Sequence, residues 1–270
     1  ENTKLVAVGF ASNAVGTINP VRAITKLAHA VGALCYIDAV HYGPHGLIDV
    51  AAIDCDFLVC STYKFFGPHM GVLYGKREHL SRFRPSKVRP NTNAIPNCWE
   101  WGTLNHECIA GIEACVGYIA DVGRHVTESC GDSRPASPSS EAQPISNRRL
   151  AIQAAYVAIW QHEQELTERT MTGLTSIRGL KIYGIIDPAR FHDRCPTFAV
   201  RIEGHTPLEL ATRLGERGIF TWDGNYYALN LTEHLDVEKS GGFLRIGLVH
   251  YNTAEEVDRL LGALKEIVGR

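Results

Sequence analysis

The chain has 270 residues, 45% hydrophobic and 21% charged, with a formal net charge of −2 at pH 7. That composition supports a globular protein with a substantial core, in one large or two modest domains. It excludes the basic excess that binds nucleic acid, and no apolar run reaches the length of a membrane span.

The opening residues "ENTKLVAVGF" lack the charged, apolar and small-residue regions of a signal peptide. They enter a strand, "KLVAVGFAS", with no element before it, which raises the expectation of a fragment or of a separately supplied N-terminal part. "NPVRAITKLAHAVG" follows as a helix, with Pro20 near its start and Gly32 at its end. "ALCYIDAV" reads as a strand, "IDVAAIDC" as a short helix and "DFLVCST" as a second buried strand. "GVLYG" reads as another buried strand. Strands alternating with helices predict an α/β fold with a mainly parallel sheet flanked by helices. Residues 105–125 read as a long helix. A Ser/Pro-rich loop at 129–146 is expected to be exposed, and helical periodicity resumes at "NRRLAIQ". In the last ninety residues "KIYG", "TFAVRIEG" and "FLRIGLVHYN" read as strands, interleaved with two amphipathic helices. The expected organisation is 1–104, then interdomain helices over 105–178, then a smaller α+β domain over 179–270.

Eight cysteines are present, and none forms a C-x-x-C. Cys35, Cys55, Cys60, Cys108 and Cys115 fall in apolar or helical runs as packing residues, while Cys98, Cys130 and Cys195 fall near loops. The spacings give no metal site and no disulfide framework, so the expected location is the reducing cytoplasm.

In "CSTYKFFGPHMGVLYG", Lys64 stands between two apolar strands. A lysine there either turns into water or is chemically committed, for example as the amine that bonds a carbonyl cofactor. Asn13, Asp38 and Lys64 each lie at or just past the carboxyl end of a strand, where open α/β sheets bind ligands. A lone aspartate in that position caps a turn. An aspartate one helix and one strand ahead of such a lysine also matches what pyridoxal phosphate needs: an amine for its carbonyl and an acid at its pyridine nitrogen.

Five segments in order, "SNAVGTINPVRAI", "DAVHYGPHGLIDV", "DFLVCSTYKFFGPHMGVLYG", "WGTLNH" and "LRIGLVHYNTAEEVDRLL", resemble the fold-type I pyridoxal-phosphate enzymes. More narrowly, they resemble the class V aminotransferase group that contains the cysteine desulfurases. The resemblance implies that 1–104 is the cofactor-binding large domain, with its N-terminal part missing and 179–270 as the small domain. It implies Lys64 as the Schiff-base lysine and proton shuttle, and Asp38 as the partner of the pyridine nitrogen. His41 and Asn13 would face the cofactor's phenolic oxygen, Asn13 alternatively the substrate carboxylate. Ser61 and Tyr63 would bind the phosphate, and Thr103 the phosphate of a neighbouring subunit in a homodimer. Arg245 would clamp the α-carboxylate of an amino-acid substrate.

Two departures from the family pattern shape the expected function. The family's segment before "SN" is not in this sequence, so a missing segment or another chain would complete the site. The stretch from Arg217 to Arg245, where desulfurases carry their nucleophilic cysteine, holds none. The expectation is therefore a desulfurase-like lyase acting at Cβ or Cγ without a thiol nucleophile. Alternatives are a desulfurase using a displaced cysteine such as Cys195 or Cys98, a decarboxylative aldolase or epimerase-type enzyme, and a non-catalytic dimerisation relative. The aromatic run "FTWDGNYYALN" would line the substrate entrance.

Overall fold

The computed structural model describes residues 2–129 and 145–269. Apart from its helical ends, the loop expected at 129–146 lies outside them, as does Cys130. The chain divides into two compact units, Glu1–Phe10 with Pro20–Tyr156, and Ala11–Asn19 with Val157–Arg270.

The first unit holds β1 (Leu5–Gly9), α1 (Val21–Ala30), β2 (Leu34–Asp38), α2 (Val50–Ile53), β3 (Phe57–Ser61), β4 (Gly71–Gly75), α3 (Arg77–Arg82) and α4 (His106–Ser129). The sheet order is β1-β2-β3-β4, with the first three parallel and β4 antiparallel to β3. Helix α1 turns Val21, Thr25 and Ala28 inward, and Gly32 follows its end in the left-handed region that glycine tolerates. Asp49 caps α2 by accepting from the Ala51 and Ala52 amides, and Asp54 stops it after four residues at φ +61°. "GVLYG" is not the buried strand its sequence suggests. Residues 71–73 are exposed, because among the described residues β4 stands at the sheet's edge and pairs only with β3.

At the amino end of β3, the buried Asp56 accepts from the Cys35 amide at 2.7 Å and lies 2.9 Å from His29 Nε2 and 2.8 Å from His79 Nε2. Burial alone would raise its pKa. The Cys35 amide, the two imidazoles and the nearby Lys76 charge outweigh it and hold the carboxyl at about 2.

A long helix, α5 (Ile145–Thr175), meets α4 where Gly123 faces the Ala151 carbonyl; a Cβ on Gly123 would lie 1.8 Å from that oxygen. Only a glycine allows the two backbones so close.

The second unit holds β5 (Leu180–Tyr183), β6 (Thr197–Ile202), α6 (Pro207–Gly215), β7 (Trp222–Gly224), α7 (Leu229–His234), β8 (Phe243–Gly247) and α8 (Ala254–Val268). Its sheet is antiparallel, in the order β5-β6-β8-β7. Strand periodicity sorts the two faces. Phe198, Val200, Leu244 and Ile246 join Leu210, Leu214, Leu260 and Leu264 of the helices in one apolar cluster. Ala199, Phe243 and Tyr183 pack with Ala14, Val15 and Tyr226 in another. Helix α8 opens on a capping box between Thr253 and Glu256. Glu163 of α5 is buried, and burial pushes its pKa up to about 9.

Candidate active site

In the first unit, the parallel register sets Asp38, the last residue of β2, opposite Val59 of β3. Strand β3 ends at Ser61, and the chain enters a 3-10 turn, Thr62–Phe65, that carries Lys64. That turn is fixed from several sides. The Thr62 amide donates to Met70 O at 2.8 Å, and its hydroxyl donates to the Pro68 carbonyl. Phe66 closes the turn in the left-handed region at φ +75°. The Cys115 thiol of α4 donates to Phe65 O at 2.9 Å, and the Phe65 ring packs with Cys115, Ile119 and Ala155. Lys64 is exposed, its amine 5.2 Å from the centroid of the Tyr63 ring, and Tyr63 stacks on His69 at 4.8 Å.

The segment after Asp38 is equally constrained. The Ala39 amide donates to Val59 O, and the Val40 amide donates to Asp38 Oδ1 at 2.9 Å. The Gly43 carbonyl accepts from the Tyr156 hydroxyl at 2.8 Å, and a Cβ on Gly43 would press on the Phe65 ring at 3.2 Å. This close approach ties the His41 segment to the Lys64 turn. His41 and His45 lie edge to face at 5.4 Å. His45 is buried, and burial pulls its pKa down to about 4, which keeps its imidazole neutral at physiological pH. Burial first, and then the Asp38 charge, push up the pKa values of Tyr36 and Cys60. Asp38 and Ser61 thus end β2 and β3, and His41, Tyr63 and Lys64 lie just past those ends. Thr103 lies on an exposed stretch just before α4.

Asn13 and Arg245 belong to the second unit and touch directly. The Ala11–Asn19 segment doubles back on itself, with Ala11 bridging Ile18 and Gly16 at φ +76°. A Cβ on Gly16 would lie 2.7 Å from the Cys195 and Thr197 carbonyls. The Asn13 amide donates to Tyr226 O at 2.8 Å, and Arg245 Nη1 donates to Asn13 O at 3.1 Å. Arg245 is half-buried in β8, where burial lowers its pKa. A second arginine escaped the sequence reading. Arg194 is fully buried; it donates to the Ile185, Cys195 and Thr197 carbonyls and lies 4.6 Å over the Phe198 ring. Burial draws its pKa down to about 10. Its carbonyl partners make it a brace for the Gly16 turn.

The family model for aminotransferase class-V matches residues 1–130 and 149–260. The chain belongs to the class-V aminotransferase family. Within that family its likeness is to the cysteine desulfurases, and pyridoxal 5'-phosphate is the cofactor of such enzymes. A cysteine desulfurase of Pectobacterium atrosepticum is 30% identical over 99% of this chain and 59% of its own length. The aminotransferase-like protein FGM3 of Gibberella zeae is 28% identical over 98% of this chain and 60% of its own. The apo structure of a cysteine desulfurase from Thermococcus onnurineus superposes with a TM-score of 0.78 at 25% identity, covering 98% of this chain and 60% of that one. The chain therefore spans about three-fifths of the length of these relatives. The fold-type I architecture expected from the sequence is the one found.

The first unit's donor set fits the family cofactor. Among the described residues Lys64's amine is in no ion pair, which leaves it available to a carbonyl, and Asp38 presents a carboxylate at the end of the adjacent strand. Cysteines suited to persulfide chemistry are scarcer. Cys98 and Cys195 are buried, and burial pushes the Cys195 thiol far up, whereas a nucleophilic cysteine needs an exposed, low-pKa thiolate. Among the described residues no helix is long and apolar enough to cross a membrane.

Proposed function

We propose that this chain serves a pyridoxal-phosphate-dependent lyase that cleaves a bond at Cβ or Cγ of an amino-acid substrate without a cysteine nucleophile. The observation that carries this reading is the stretch from Arg217 to Arg245, which lacks a cysteine while Arg245 remains docked on Asn13.

Bound pyridoxal phosphate supplies an electron sink for negative charge at the substrate Cα. Lys64 would hold the cofactor by its carbonyl carbon until the substrate amine displaces it there, and its freed amine would then move a proton at Cα. Asp38 keeps a proton on the pyridine nitrogen, and His41 donates to the phenolic oxygen. Ser61 and Tyr63 bind the phosphate, and Thr103 reaches the phosphate site of a second copy of the chain in a homodimer. Arg245 and Asn13 orient the substrate by its α-carboxylate. The reaction then favours a substituent that departs without help from a thiolate, such as the sulfinate of cysteine sulfinate, leaving as sulfur dioxide, or the β-carboxylate of aspartate, leaving as carbon dioxide, each with its bonding pair left on Cβ to be protonated.

The test is to add pyridoxal phosphate, reduce with borohydride and map the labelled peptide. The expected label falls on Lys64 and is absent from Lys64→Ala; a label elsewhere, or none, overturns the reading. Cleavage of L-cysteine sulfinate should survive iodoacetamide. Its loss on alkylation would favour a desulfurase with a displaced cysteine.

A further inference from the structure

Within the second unit, Arg245 is held by aromatic faces rather than by an acid. Its guanidinium carbon lies 4.8 Å from the centroid of the Tyr226 ring and 5.8 Å from that of Trp222, which stands opposite it in the β7–β8 register. Among the described residues no carboxylate pairs with it, and the Asn13 carbonyl takes one of its five donors. The remaining donors are free for an incoming anion. Cation–π contact holds the guanidinium plane without neutralising its charge.

Tyr226 touches every part of this arrangement. Its ring faces Arg245, its carbonyl accepts the Asn13 amide, and its hydroxyl donates to the Phe243 carbonyl in the strand that carries Arg245. It does so from a left-handed backbone at φ +50°, followed by Tyr227 at φ +66°. Two consecutive side chains in that region are costly and persist only where the surroundings over-determine them. Here Asn225 accepts from the Tyr227 amide and donates to Glu238, which also takes the Thr232 hydroxyl. An apolar residue on a relaxed turn would fill the same space against Ala14 and Val15, but it could not join all three contacts.

From this geometry we infer that Tyr226, assisted by Trp222, is a positioning residue that pre-forms Asn13 and Arg245 as a clamp for the α-carboxylate. The inference rests on the proposed role of Arg245. It goes beyond that role in assigning the clamp's rigidity to the aromatic pair. Pre-formation lowers the ordering cost of binding, so losing either ring weakens carboxylate capture.

The experiment follows phenylglyoxal modification of Arg245 by peptide mapping on the full chain loaded with pyridoxal phosphate, with L-alanine as protecting ligand and ethylamine as the control without a carboxylate. L-alanine should protect the wild type and ethylamine should not. Y226L and W222L should each need about tenfold more L-alanine for half-protection, while Y226F, which keeps the ring, stays near wild type. Trp222 is 62% exposed, so W222L tests the point even if Y226L fails to fold. Wild-type protection in Y226L and W222L, or an equal rise in Y226F, overturns the inference alone. No protection of the wild type overturns the carboxylate role of Arg245, and the inference with it.

Discussion

Asp38 receives one hydrogen bond from its own loop, at Oδ1 from the Val40 amide. Asp38→Asn keeps that acceptor and the side-chain shape but removes the carboxylate that would answer a protonated ring nitrogen. Turnover of L-cysteine sulfinate by the variant should fall about a hundredfold, with the Lys64 label still formed. A fall below threefold would show that the charge does not act there. Asp38 and Lys64 were legible because a carboxylate and an amine interrupt apolar strands at their carboxyl ends. The contact of Asn13 with Arg245 was not legible, since 232 positions separate them and no local pattern encodes such a pairing. His45 and Arg194 were missed for a different reason: titratable side chains default to the surface, and only tertiary packing shows which ones are enclosed.

Helices α4 and α5 show how one missing methyl group can set an interhelical distance. Gly123→Ala must push its Cβ against the Ala151 backbone, which cannot give way as a flexible side chain would. The expected cost is about 3 kcal/mol, read as a lower urea midpoint with an unchanged slope. Gly117, on the same helix, has nothing within 4 Å of the methyl that alanine would add, so Gly117→Ala should stabilise by about 0.5–1 kcal/mol. If both variants moved together, helix propensity rather than close approach would govern the pair. Most of the long elements followed from periodicity. The three-residue β7 and six-residue α7 did not, being too short to show a period, and the exposure of β4 depends on which strands flank it.

Stability of the whole molecule should respond to pH through two buried carboxyls of opposite character. Asp56 is held at about 2, below the ordinary aspartate value of about 3.9. Its contribution, on the order of 2–3 kcal/mol, is present above pH 4 and is lost as pH falls through 2. Asp56→Asn should therefore lower the urea midpoint at pH 7 and leave it unchanged near pH 2. Glu163, raised to about 9, works the other way: the stability of its folded, protonated form is full below the ordinary glutamate pKa and is lost as pH rises through 9. Glu163→Gln should match the wild type at pH 4 and exceed it at pH 8. The division into two units was only partly visible in the sequence. A composition shift marks the C-terminal domain, but nothing local reveals that Ala11–Asn19 clusters with residues from Val157 onward.

That early segment has a consequence for how the chain is made. On the ribosome, Asn13 emerges long before the groups it finally meets, with Tyr226 following 213 positions later and Arg245 still further on. Until then its turn has its own internal hydrogen bonds and, once they emerge, Asp193 and Cys195 to meet, and neither compact unit is a single contiguous stretch of nascent polypeptide. Synthesis must run past Arg245 before it can meet Asn13, which makes that contact a late event in folding.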